Sequence, residues 1–96
     1  METVERYQLE LELRQLRELM KSLEIRLKEL EYAESVIVAS KSERKIFREF
    51  SDLLVEITKD EAIEHIERTR LVYKREIERL KERERKILKE LAKLKS

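Results

Sequence analysis

The 96-residue chain contains no cysteine, no glycine and no proline. Without cysteine it can form no disulfide, no thiolate zinc site and no cysteine nucleophile. Without glycine it has no phosphate-cradling loop of the usual kind, because such a loop needs a backbone that approaches the anion closely. These absences exclude several common classes of enzyme and nucleotide-binding protein.

The chain also lacks a long hydrophobic run and an excess of charge of one sign. No apolar stretch approaches the roughly 18 residues of a membrane span, and there is no signal-peptide core, so we expect no membrane insertion and a cytoplasmic location. The 23 basic and 22 acidic residues leave a formal net charge of +1. This balance gives no electrostatic argument for a nucleic-acid partner.

Charged residues make up 47% of the chain and hydrophobic residues 41%. This composition is too poor in apolar residues for a broad core, but it is typical of a coiled coil with a narrow helix–helix seam. The abundance of Glu, Lys and Arg, with no asparagine and only two glutamines, is typical of thermophilic proteins. We expect a single domain over residues 1–96.

The first segment predicts a long helix over about residues 2–35. Its leucines recur every seven residues, and a second apolar series lies between them, as in the a and d positions of a coiled coil. These seam residues are Leu9, Leu13, Leu16, Met20, Leu23, Leu27 and Leu30. Residues 36–40 are ambiguous, because Val36, Ile37 and Val38 are β-branched while Ile37 continues the heptad series.

Two short strands are predicted next, within about residues 45–58, with Ser51-Asp52 as the turn. A two-residue turn pairs Phe50 with Leu53 and places the other residues in register, although the missing glycine leaves a longer loop open. An isolated hairpin is marginally stable and has unpaired edges, so we expect it to pair with other subunits. The predicted oligomerisation residues are Ile46, Phe47, Phe50, Leu53, Leu54, Val55 and Ile57.

A second helix is predicted over about residues 60–95, since Thr58 and Glu61 form a capping box at its start. Its seam contains two charged residues, Arg70 and Glu84, which either set the register or extend out of a thin seam. The whole seam is Ile63, Ile66, Arg70, Tyr73, Ile77, Leu80, Glu84, Ile87, Leu91 and Leu94. The predicted fold is mainly α, with two long helices in an antiparallel coiled coil joined by a short β-hairpin.

His65 is the one histidine of the sequence. A metal site needs two or three converging ligands and a catalytic base needs a pocket, and a two-helix rod supplies neither. We therefore expect His65 to be solvated, and we expect no metal, no cofactor and no enzymatic activity.

The stretch from Ile46 to Ile63 resembles the hairpin and second-helix start of beta-type prefoldin subunits. Those subunits have an aliphatic-aromatic-basic strand, a short turn, a Leu-Val strand, and a Thr-Lys-Asp/Glu helix start. This chain departs from them at Ser51-Asp52, where the family usually has a glycine. A single hairpin also favours the beta type, because alpha-type subunits have two.

The resemblance implies a molecular chaperone that holds unfolded polypeptides without ATP and transfers them to a group II chaperonin. It also implies a hexamer of two alpha-type and four beta-type subunits, in which the hairpins form a barrel. The client would bind at the coiled-coil tip, through apolar residues outside the seam and seam residues exposed by fraying. Those residues are Val4, Tyr7, Leu11, Leu88, Leu91 and Leu94.

Two other interpretations remain open at this point. Scattered exposed apolar residues are normal on helices, so the tip residues need not bind anything. The chain could instead be a structural or scaffolding coiled coil that only oligomerises, in which case the assembly would leave client aggregation unchanged.

Overall fold

A computed structural model describes residues 2–41 and 43–95 of the chain. Four elements follow one another, α1 (Glu2–Ala39), β1 (Ile46–Phe50), β2 (Leu53–Ile57) and α2 (Lys59–Lys95). The two strands form an antiparallel two-stranded sheet. The predicted fold class, two long helices with a short hairpin between them, is confirmed.

The chain divides into two compact units. The terminal unit combines the residues up to Ile25 with those from Tyr73 onward, and the hairpin unit is Arg26–Val72. In the terminal unit Arg6 contacts Leu94 and Arg17 contacts Glu84, so the segments of α1 and α2 run antiparallel. The expectation of a single domain stays a prediction.

The hairpin unit is antiparallel as well. Arg70 of α2 contacts Glu34 of α1, and Lys59 at the start of α2 contacts the carbonyl of Val38 near the end of α1.

The core of the terminal unit is the predicted helix–helix seam. Ile87 is completely buried there, and both helices supply apolar residues at heptad positions. Burial of aliphatic side chains is the main stabilising contribution in such a seam, at about 1.5–3 kcal/mol for each fully buried side chain. The buried residues of this unit are Leu13, Leu16, Met20, Leu23, Ile77, Leu80, Ile87 and Leu91.

The two charged seam positions of α2 both form ion pairs with α1. Arg70 Nη2 lies 3.1 Å from Glu34 Oε2, and Arg17 Nε lies 2.9 Å from Glu84 Oε2. Each pair joins one particular position of α1 to one of α2, as expected of residues that set the register.

Helix α1 extends beyond its predicted end at residue 35 and finishes at Ala39. The ambiguous β-branched residues are therefore helical, and Ile37 is half-buried. The chain leaves the helix at Ser40, whose backbone N–H and Oγ both donate hydrogen bonds to the Ile37 carbonyl, at 3.2 and 2.7 Å. These bonds satisfy a carbonyl that the ended helix would leave unpaired.

The last turn of α1 has no basic residue, although a cation is favourable near a helix C-terminus. Lys59, the first residue of α2, places its ammonium group there instead. Its Nζ donates to the carbonyls of Val38 and Ser40, at 3.1 and 3.4 Å. The start of α2 is thereby held against the end of α1.

The hairpin has the predicted register, with Ile46 opposite Ile57 and Phe50 opposite Leu53. Its turn is Ser51-Asp52, so the longer loop is not formed. Ser51 has a φ of 52°, in the left-handed region that glycine normally occupies. The departure from the family's usual glycine thus has a conformational cost, borne by Ser51.

The capping box at the start of α2 is formed as predicted. Thr58 N–H donates to Glu61 Oε1 and Glu61 N–H donates to Thr58 Oγ1, each at 3.1 Å. The hydrogen bonds from the backbone and then the side chain of Thr58 lower the pKa of the Glu61 carboxyl. The helix begins at Lys59, one residue before the predicted start.

Candidate functional site

Apolar side chains lie exposed at the end of the terminal unit, close to where α1 begins and α2 ends. Val4, Tyr7 and Leu88 are 43–64% exposed, and Leu11 is half-buried. Charged residues flank them in the sequence of both helices. These four residues lie outside the buried seam, as the heptad pattern predicted.

Leu91 and Leu94 behave differently from the expectation that fraying exposes them. Leu91 is buried, with a fractional exposure of 8%, and Leu94 is half-buried. The physical reason is that α2 continues to Lys95 and keeps both residues in the seam facing α1. The expectation of exposure is wrong for Leu91, while its part in client binding stays a prediction.

Ion pairs between the helices support this end of the terminal unit. Arg83 donates two hydrogen bonds to Glu12, from Nε to Oε2 at 2.7 Å and from Nη2 to Oε1 at 2.8 Å. These hydrogen bonds lower the pKa of the Glu12 carboxyl and raise that of Arg83. The pair is therefore a geometrically well-formed bridge between α1 and α2, although it is partly exposed.

The hairpin presents a second apolar surface. Side chains on both faces of the two strands are exposed, whereas Ile46 and Ile57 at the base are half-buried. Arg48 lies over the ring of Phe50, with Cζ 4.2 Å from the ring centroid, which is a cation–π contact. The exposed residues are Phe47, Phe50, Leu53, Leu54 and Val55. Exposed apolar side chains on an unpaired strand edge are typical of a sheet that pairs with further strands.

A cavity of about 360 Å³ lies between the hairpin and α2 within the hairpin unit. His65 lines it together with Arg48 of β1 and Ile37 of α1. Burial, then the positive charges of Arg48 and Arg68, lower the pKa of His65. The expected solvated histidine is thus half-buried against the hairpin, a contact that its position next to seam residue Ile66 could have suggested.

The described residues contain no group of three or more His, Cys, Asp or Glu side chains arranged to hold a metal ion. In residues 2–41 and 43–95, neither helix contains a segment long and apolar enough to cross a membrane.

The family model described as "Prefoldin subunit" matches residues 2–96. The chain belongs to the prefoldin subunit family. Its structure is also similar to the crystal structure of the prefoldin beta2 subunit from Thermococcus strain KS-1, with a TM-score of 0.85 and 69% sequence identity over 97% of this chain and 99% of that chain. A search of curated proteins found no match.

Membership of the prefoldin family implies a chaperone subunit that assembles with other prefoldin subunits and acts on unfolded clients. It is a family of chaperones and is not known as a family of enzymes. The resemblance predicted from the hairpin is confirmed, and the Thermococcus relative supports the thermophilic interpretation of the composition.

Proposed function

We propose that this chain is a beta-type prefoldin subunit that holds unfolded polypeptides, without ATP, at the end of its terminal unit. The observation that carries this proposal is the exposure of the apolar residues Val4, Tyr7 and Leu88, with Leu11 half-buried, where α1 begins and α2 ends. Such a surface can bind apolar client segments weakly and with little sequence preference. Several copies in one assembly would add their contributions through avidity.

The beta-type assignment is supported by the 69% identity to a beta2 subunit and by the single hairpin of the described chain. We infer that the hairpins join in a hexamer of two alpha-type and four beta-type subunits. The proposed oligomerisation surface consists of Ile46, Phe47, Phe50, Leu53, Leu54, Val55 and Ile57. The exposed edges of the two-stranded sheet support this inference.

The client-holding proposal is tested by a triple substitution, Val4→Ser, Tyr7→Ser and Leu88→Ser. A matched control, Val36→Ser, Tyr32→Ser and Leu71→Ser, removes the same three residue types from helix positions with a similar 48–73% exposure. Both variants are assembled with an alpha-type subunit and tested for suppression of aggregation of reduced, denatured lysozyme. The reductant does not affect this chain, which has no cysteine.

The first variant is expected to lose most of the suppression and the control to retain it. Equal suppression by both would contradict the proposed site. If the unsubstituted assembly leaves lysozyme aggregation unchanged, the scaffolding function is correct instead.

The assembly proposal is tested by Leu54→Asp, which puts a charge on the exposed face of β2. Leu71→Asp makes the same change at an exposed position of α2. Native mass after mixing with an alpha-type subunit is expected to fall from the hexamer for Leu54→Asp only. A hexamer that forms with both variants would place the assembly surface elsewhere.

Transfer to a group II chaperonin is the remaining part of the proposal, together with a cytoplasmic location. A fluorescent client held by the assembly should move to the chaperonin fraction in size-exclusion chromatography when the chaperonin is added. A client that stays with the assembly contradicts transfer.

A further inference from the structure

Arg6 joins the beginning of α1 to the end of α2. Its Nη2 donates a hydrogen bond to the Leu94 carbonyl oxygen at 3.1 Å. That carbonyl is in the last turn of α2, where no intrahelical N–H is available to it. A guanidinium there also meets the negative end of the helix dipole, so the Arg6–Leu94 contact is favourable in two ways.

The same contact has a cost. Arg6 Nε is buried and has no hydrogen-bond partner. A buried donor without a partner opposes the arrangement that buries it, since water would satisfy the same group if the helices separated. The hydrogen bond from Arg6 Nη2 thus favours the closed end of the terminal unit, whereas the buried, unpartnered Nε of the same residue disfavours it.

The closed end also covers apolar surface. Leu91 is buried and Leu94 half-buried, while Val4, Tyr7 and Leu88 nearby remain exposed. Separation of the helix ends would therefore enlarge a surface that is already partly apolar.

We propose that the Arg6–Leu94 contact controls access to the apolar side chains of Leu91 and Leu94, closing them off until an unfolded client binds. This inference rests on the proposed function, because it adds a regulated part to the same site. A client that binds the open end better than the closed end shifts the population toward the open end. The apparent affinity for clients is then the affinity of the open end multiplied by the fraction of molecules that are open.

The extent of opening is set by the next contacts along the helices. The two hydrogen bonds between Glu12 and Arg83 and the complete burial of Ile87 lie inward of Arg6. Opening therefore involves about residues 2–11 and 88–95. All six residues proposed to bind clients lie in these two segments.

The test uses Arg6→Glu in the assembly with an alpha-type subunit. The substitution replaces the donor by a carboxylate that the Leu94 carbonyl repels, while an acidic residue near the start of α1 remains favourable for that helix. Arg14→Glu, at an exposed position of the same helix, is the control with the same change of charge. Arg6→Lys keeps a cation and is expected to restore most of the original behaviour.

Two quantities are measured, hydrogen exchange of the peptide covering residues 88–95 and the concentration of assembly that halves aggregation of reduced, denatured lysozyme. In Arg6→Glu, exchange should become about fivefold faster and the half-suppressing concentration should fall by up to about fivefold, the factor that one ordinary hydrogen bond represents. Arg14→Glu should change neither. If Arg6→Glu does not assemble, Arg6→Ser, which is too short to reach Leu94, replaces it.

Unchanged exchange in the Arg6 variant would show that the contact does not hold the end closed. Faster exchange with equal or weaker suppression would show that opening does not expose a client-binding surface. Either result overturns this inference, but neither touches the proposed function if the Val4, Tyr7 and Leu88 triple variant still loses suppression. If that triple variant suppresses aggregation normally, the proposed function and this inference both fail.

Discussion

Arg83 and Glu12 form the best-defined ion pair between the two helices, with two parallel hydrogen bonds of 2.7 and 2.8 Å. The pair lies next to the seam that Ile87 fills, toward the end of the terminal unit that carries the exposed apolar residues. Bidentate pairing restricts geometry more than a single contact does. The pair therefore fixes the position of α1 relative to α2 at Glu12 and Arg83.

The pH dependence of the unfolding free energy should show the contribution of the Glu12–Arg83 pair. The pKa of Glu12 is lowered from its ordinary value of 4.5, chiefly by the hydrogen bonds from Arg83. Because the folded-state pKa lies below the unfolded-state pKa, the pair stabilises the fold above about pH 4.5. This contribution is lost as the pH falls through the lowered folded-state value.

Glu12→Gln should lower the Tm by about 2–4 °C at pH 7, since partly exposed ion pairs contribute little. The difference from the unsubstituted protein should shrink below pH 4.5. Thermal unfolding followed by circular dichroism at fixed protein concentration measures both. Glu10→Gln, at an exposed position of the same helix, is the control, and an equal effect there would contradict the assignment.

The capping box at the start of α2 gives a second prediction. Thr58→Ala removes the hydroxyl that accepts the Glu61 N–H, and it should cost about 1 kcal/mol of unfolding free energy. Thr69→Ala is the matched control, because the Thr69 hydroxyl donates to the His65 carbonyl within the helix. Such a bond does not stabilise a helix interior, so this control should be neutral or slightly stabilising. Guanidinium unfolding compares the two, and equal losses would exclude a capping role.

Ile87 and its neighbour Leu88 should separate stability from client holding. Ile87 is completely buried, so Ile87→Ala should destabilise the protein by about 2–4 kcal/mol through lost burial and a cavity. Leu88 is 43% exposed, and Leu88→Ala should change stability by less than about 0.5 kcal/mol while weakening aggregation suppression. A large stability loss in Leu88→Ala would show that this residue belongs to the core.

The heptad pattern predicted most of the fold, because the helix period alone determines which residues of each helix face the seam. It left the register of α1 against α2 open. The hairpin register followed in the same way from a two-residue turn and strand alternation. The expectation that Leu91 is exposed was wrong, because burial at a helix end depends on the facing helix. Here the facing helix contributes Arg6, which is far away in sequence. The surroundings of His65 were missed for a similar reason, as the hairpin folds back beside it.

Ser51 should be the most strained position of the hairpin. A side chain at a φ of 52° costs about 1–2 kcal/mol, and glycine removes this cost while losing more chain entropy on folding. Ser51→Gly should therefore stabilise the protein by about 0.5–1 kcal/mol. Asp52→Gly is the control, because the φ of Asp52 is not positive, and it should destabilise. The guanidinium unfolding midpoint should rise for Ser51→Gly and fall for Asp52→Gly, relative to the unsubstituted protein. A lower midpoint for Ser51→Gly refutes the assignment.

The location of bound client is a direct test of whether the end of the terminal unit holds unfolded polypeptides. Tyr7 and Tyr32 are both exposed on α1, but Tyr7 belongs to the terminal unit and Tyr32 to the hairpin unit. Each is replaced in turn by photoreactive benzoylphenylalanine, and the assembly with an alpha-type subunit is irradiated with reduced, denatured lysozyme. Strong crosslinking is expected from position 7 and little from position 32. Equal crosslinking from both positions, or crosslinking from position 32 alone, would contradict it.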